Sequence, residues 1–378
     1  MGVVQRRLIK NVWKKAQNRA FGYNCFLIII MSMVKKGLLV LFSLLLLGAV
    51  WNFSQRPLQG EVLLLPNEPR QKGVCWVGGP EMLQGGELEA LLPVGVTHIS
   101  QTPFGWQDSP HSPSLKWEEH RPKIWWGESL LGMKATIAEA RNHQIQTLLK
   151  PHIWVKGHWP GAIQMQSEAD WQEWFSNYAE FILFYARFAE EEELPILCIG
   201  TELELTSQKE QEWRSIIEAI RAVYSGKITY AANFTEYQKI KFWDALDYIG
   251  IQAYFPLADK EDPTISFLNQ KWAQQIREIE KVQKKFNKPV LFTEIGYCNT
   301  ADAAISPWIW PSDRKGSRLS EEVQARCYRS FFETVWAKDW LAGVYFWKWY
   351  PVPRQVELDF SPQKRKAQEV MTEFFNQE

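Results

Sequence analysis

From residue 73 onward, short apolar runs alternate with longer segments whose apolar residues recur at helical spacing, and no other property of the chain narrows its fold so far. The runs lie at 73–78 (GVCWVG), 96–100 (VTHIS), 145–152 (IQTLLKPH), 195–200 (PILCIG), 227–232 (KITYAA), 248–254 (YIGIQAY), 289–294 (PVLFTE) and 342–347 (AGVYFW). Amphipathic segments fall between or after them, at 171–189, 211–223, 272–286, 321–336 and 362–375. Eight strand candidates, each followed by a helical or irregular return, fit an α/β fold of the (β/α)8 TIM-barrel type better than an open doubly wound sheet. Neither GxGxxG nor GxxxxGK[ST] follows any of the runs, which lowers the nucleotide-binding alternatives.

The barrel is expected over 73–378. Ahead of it, 37–53 (GLLVLFSLLLLGAVWNF) is an uncharged run preceded by Lys35 and Lys36. A basic flank before such a run reads as an export signal or a membrane anchor. No small-x-small cleavage site follows Leu47 and no cysteine follows to take a lipid, which favours an uncleaved anchor. A start at Met33 would make the segment a complete signal, with 1–32 an upstream extension. The expected organisation is therefore an N-terminal segment over 1–53, a proline-containing linker over 54–72, and a barrel outside the cytoplasm.

Lys plus Arg equals Asp plus Glu at 43 each, so no strong field points toward nucleic acid. The 5 cysteines include no CxxC pair and no histidine at metal-ligand spacing, so neither a disulfide framework nor a structural zinc is expected, and no cofactor is implied. The outlier is tryptophan, at 20 residues. Indole combines a flat apolar face with one N–H donor, which suits both a core and the face of a sugar ring.

Chemistry in a barrel of this type sits at the C-terminal ends of the strands. Those ends present Trp76, then Gln101 with Phe104 and Trp106, then His152 and Trp154, then Glu202 and Glu204, then Asn233, Tyr254, Glu294 with Tyr297, and finally Trp347 with Trp349. Aromatic residues around two carboxylate positions are what a carbohydrate cleft requires. Cleaving a glycosidic bond takes one carboxylic acid to protonate the leaving oxygen and a second carboxylate across the anomeric carbon. The fourth and seventh strands face one another across the barrel, so Glu202 or Glu204 can meet Glu294.

The motifs IGTEL (199–203), FTEIGY (292–297) and VYFWKWYP (344–351) resemble the acid/base, nucleophile and eighth-strand motifs of the large clan of retaining (β/α)8 glycoside hydrolases. Over about residues 72–378 the chain most resembles glycoside hydrolase family 113, whose characterised members are β-1,4-mannanases. The resemblance implies Glu202 as acid/base, Glu294 as nucleophile, Tyr254 as the hydrogen-bond partner of the nucleophile and Trp347 as the aromatic floor under the sugar. One position departs: the clan places asparagine just before the acid/base to bind the sugar 2-hydroxyl, and this chain has Thr201.

Trp76, His152, Trp154, Thr201 and Asn233 complete the expected sugar-binding set, with oligo- or polysaccharide as the expected partner. Lys150 is read with His152 as either a sugar donor or a structural partner, and Glu204 as a supporting loop carboxylate. Two alternatives stand beside hydrolysis of a β-linked polysaccharide such as mannan. One is another retaining glycosidase or a transglycosylase of the clan; the other is a non-catalytic glycan-binding barrel.

Overall fold

The computed structural model describes residues 69–118, 124–314 and 316–377. The N-terminal segment expected over 1–53 lies outside the described residues. In chain order the strands are β1 (Gln71–Trp76), β2 (His98–Gln101), β3 (Phe104–Gln107), β4 (Gln146–Leu149), β5 (His152–Val155), β6 (Ile196–Thr201), β7 (Lys227–Asn233), β8 (Tyr248–Gln252), β9 (Val290–Ile295) and β10 (Leu341–Trp349). All but β3 and β5 close into a parallel barrel in the order β1-β2-β4-β6-β7-β8-β9-β10. The fold is the expected (β/α)8 barrel.

Every strand of such a barrel is buried on both faces, and side chains alternate between its interior and the surrounding helices. The interior layer contains Cys75, Leu148, Ile196, Cys198, Ala231, Tyr248, Leu291 and Tyr345. Their neighbours along the strands, among them Val74, Trp76, Leu197, Ile199, Ile249, Phe292 and Phe346, join the larger core under the helices. The helices are α1 (Leu130–Asn142), α2 (Glu168–Glu191), α3 (Glu210–Arg221), α4 (Ile265–Phe286), α5 (Glu321–Phe331) and α6 (Lys366–Phe375). Trp174, Tyr178, Phe181, Ile182 and Tyr185 of α2 are buried at three- and four-residue spacing, the stripe that docks a helix on a sheet. Ser129, Ser167, Thr264 and Ser320 cap α1, α2, α4 and α5 by accepting a bond from a backbone N–H of the first turn.

The eight apolar runs all become barrel strands, with three adjustments. Strand β1 starts at Gln71, inside the stretch read as linker, because Gln71 and Lys72 pair with Gly343 and Val344 of β10. The helix expected to run to 336 becomes a π turn over Phe332–Trp336. The third run, 145–152, divides: Lys150 and Pro151 separate β4 from β5, and β5 leaves the barrel to pair in parallel with β3 as a two-stranded side sheet. Proline has no N–H for the ladder, so the barrel strand ends before it.

Among the described residues no helix is long and apolar enough to cross a membrane. Cys75, Cys198, Cys298 and Cys327 are free and buried, and no three His, Cys, Asp or Glu side chains among the described residues are grouped so as to hold a metal ion.

Candidate active site

Strand β6 brings the first carboxylate to the mouth by an abrupt turn. Glu202 takes a left-handed conformation with φ 52, an uncommon backbone for a residue with a side chain, while its N–H still reaches Ala231 O of β7 at 2.9 Å. Two residues earlier, a Cβ on Gly200 would lie 2.7 Å from the Trp213 ring and 2.8 Å from the Tyr230 ring, so only glycine fits. The turn separates the fates of the two glutamates. The Glu202 carboxyl accepts hydrogen bonds from Trp159 Nε1 at 2.7 Å and Asn233 Nδ2 at 2.8 Å. Glu204 instead accepts from Lys239 Nζ at 2.7 Å and Thr235 Oγ1 at 3.2 Å, as a supporting loop carboxylate would.

Beyond β7 and β8 in the barrel order, β9 carries Glu294. One of its carboxyl oxygens is paired with Lys150 Nζ, and the other accepts from Tyr254 Oη at 2.7 Å. Lys150 and Glu294 are both almost wholly removed from water. His152 Nε2 lies 3.8 Å from Glu294 and has no hydrogen-bond partner among the described residues. The Trp347 ring stands beside this pair, its centroid 5.9 Å from Lys150 Nζ, and Trp310 meets it edge to face at 6.4 Å.

These surroundings drive the two carboxyls apart. Burial raises Glu202, the Glu294 charge raises it further, and bonds from Trp159 and Asn233 oppose them, with the balance at about 7. Burial also acts to raise Glu294, but the Lys150 charge, His152 and the hydrogen bonds outweigh it and hold that carboxyl below its ordinary value. Burial acts to lower Lys150, and Glu294 more than compensates, so the amine stays charged. Desolvation, reinforced by Lys150, lowers His152 to about 3, so near neutral pH it is an uncharged imidazole. One carboxyl able to hold a proton near pH 7 and one kept ionised are the two forms required by an acid and a nucleophile at a glycosidic bond.

The sugar-binding expectations divide. Asn233, His152, Tyr254 and Trp347 gather around the carboxylates, and Trp154 lies on the side sheet, 48 % exposed, its ring centroid 5.9 Å from that of Trp106. Trp76 is a correction: it is 2 % exposed and packs in the outer core, because Cys75 takes the inward position of β1. Thr201 is 4 % exposed, as is Glu294, and its hydroxyl neighbours Cys198 Sγ at 3.8 Å.

Two contributors were not anticipated in their observed roles. Lys150, for which the sequence offers a sugar donor or a structural partner, is the counter-ion of Glu294. Trp159 carries only a weak signal in sequence, a tryptophan between histidine and proline in GHWPG on an irregular return.

The profile of Glycoside Hydrolase Family 113 matches residues 84–364. Among solved structures, the GH113 β-mannanase of Alicyclobacillus acidocaldarius, solved in complex with ManMIm, superposes with a TM-score of 0.70 at 22% identity, covering 82% of this chain and 98% of that one. A second structure of a GH113 β-1,4-mannanase aligns with a TM-score of 0.70 at 23% identity, over 82% of this chain and 100% of that one. The endo-1,4-β-D-mannanase of Thermotoga petrophila, solved with maltose and glycerol, shares 13% identity with a TM-score of 0.55, over 82% of this chain and 99% of that one. At these identities the structures show a common fold. A comparison with curated protein sequences finds no match. With the profile spanning most of the barrel and the motifs of β6 and β9 inside it, this chain belongs to glycoside hydrolase family 113.

Proposed function

We propose that the chain is a retaining glycosidase that cleaves β-1,4-linked mannan by double displacement, with Glu202 as acid/base and Glu294 as nucleophile. The observation that carries this reading is the opposite setting of the two carboxyls at the ends of β6 and β9. Glu202 protonates the glycosidic oxygen as Glu294 attacks the anomeric carbon, forming a glycosyl ester and releasing the leaving sugar. Glu202, now ionised, takes a proton from water, which attacks the same carbon and restores Glu294. Lys150 and Tyr254 hold the nucleophile ionised and aimed, while Trp159 and Asn233 hold the acid. Trp347 supplies the floor beneath the sugar, and Trp154 and Trp106 offer faces to a neighbouring unit. Mannan is favoured by the names of the structurally similar enzymes, and an exported, tethered barrel by the basic flank and apolar run at 37–53.

The test separates the two roles. Glu202→Ala should still form the glycosyl ester from a dinitrophenyl β-mannoside, whose leaving group needs no proton, while losing activity on mannan; azide should restore turnover and yield the β-azide. Glu294→Ala should lose both activities. A wild-type protein that releases no reducing ends from mannan but does so from xylan or glucan would redirect the substrate, and equal loss of both activities in Glu202→Ala would remove it from the acid/base role.

A further inference from the structure

Glu236 is buried completely, and no cation pairs with it among the described residues. Such a carboxyl needs several donors to persist. One oxygen accepts from Tyr230 Oη at 2.8 Å, and the other from the backbone N–H of Asn233 at 3.0 Å. Tyr230 Oη in turn accepts from the N–H of Leu203, the residue after Glu202, at 2.9 Å. Asn233 donates its side-chain amide to Glu202 itself. The contacts close a ring: Glu202, the Leu203 amide, Tyr230, Glu236, Asn233, and back to the Glu202 carboxyl.

We propose that Glu236 is a positioning residue for Glu202, bracing through this ring both the left-handed backbone from which Glu202 projects and the asparagine that orients its carboxyl. The inference rests on the reading of Glu202 as acid/base. Glu236 does not touch the cleft, so its action passes through Tyr230 and Asn233. The ring also explains the cost accepted at Gly200: removing that Cβ lets the Tyr230 ring lie against β6, from where its hydroxyl reaches Leu203. A carboxylate suits the position because both of its oxygens accept, whereas a glutamine offers one acceptor and turns an N–H₂ toward the other donor. The remaining polar or charged groups facing Glu236 are the Ser207 hydroxyl and Glu204, whose own charge is paired with Lys239. Burial raises Glu236 to about 7, against the bonds that favour its ionised form.

The experiment compares full-length wild type with Glu236→Gln and Tyr230→Phe, the second keeping the ring packing while deleting the hydroxyl link. On a mannooligosaccharide, whose departure needs the acid, kcat/KM should fall by about 10-fold or more in both variants with KM little changed. On dinitrophenyl β-mannoside, measured by release of dinitrophenol, the loss should stay within about 3-fold, because that step needs no proton. Independently of turnover, the Trp159 indole N–H resonance in ¹⁵N-tryptophan-labelled protein, assigned with Trp159→Phe, reports the ionisation of Glu202. Its midpoint should move by more than about half a pH unit in each variant. Equal losses on the two substrates, or an unmoved midpoint, overturns the assignment. If wild type cleaves neither substrate the glycosidase reading fails by itself, and the midpoint still decides the brace.

Discussion

Lys150 and Glu294 lie out of water together, so neither can be removed singly without leaving an uncompensated charge. Lys150→Met should destabilise the fold by about 3–5 kcal/mol, and adding Glu294→Gln should recover much of that loss. Denaturation of the two single variants and the double variant measures the coupling; additive losses would mean that the pair contributes nothing beyond its members. The pH dependence follows from the signs. Glu294 is depressed in the folded state, so its contribution to stability is present above the ordinary carboxylate range and is lost as pH falls through its folded value. For activity, kcat/KM should be bell-shaped, the upper limb following Glu202 near 7 and the lower following Glu294. Glu202→Gln should abolish the upper limb. An upper limb that persists in that variant would assign it to another group.

Among the elements, β6 tolerates least. Gly200→Ala would press a methyl into Trp213 and Tyr230, and a destabilisation of about 1–3 kcal/mol is expected from such overpacking. Gly79→Ala, where a methyl meets nothing within 4 Å, is the control and should be near neutral in the same melt. The side sheet β3 and β5 carries a different expectation. Trp154→Ala should leave stability nearly unchanged and raise KM for long oligosaccharides by about 5-fold, the value of roughly 1 kcal/mol of aromatic contact. An unaltered KM across chain lengths would place the glycan elsewhere. The barrel and the strand-end positions of its two carboxylates were legible because short apolar runs alternating with helical-period segments are local signals. Trp76 was misplaced because the inward parity of β1 is set by its neighbours β2 and β10, not by its own sequence. Lys150, Trp159 and Glu236 were hidden for a related reason: each meets its partner only after the barrel closes, across 144, 43 and 6 residues of chain. Even the shortest of these separations, from Tyr230 to Glu236, depends on a turn that no spacing rule announces.

At the scale of the molecule, the described barrel buries its own core, which predicts that it folds without the residues before it. Deleting 1–68 should yield soluble protein with unchanged activity, whereas the full chain should sediment with membranes; a deletion product that fails to fold, or a full chain that stays in solution, would contradict this. One consequence of the split third run reaches across the whole cleft. The stretch from Lys150 to Trp159 meets Glu294 at its start and Glu202 at its end, with its turn pinned by the Val155–His158 bridge. A single span of chain therefore works as a calliper whose jaws close on the carboxylates carried by two separate strands, β6 and β9. Its gauge is a residue count, so one residue inserted between Val155 and His158 would reset the jaws together, altering the gap on which the stereochemistry of a two-carboxylate reaction depends.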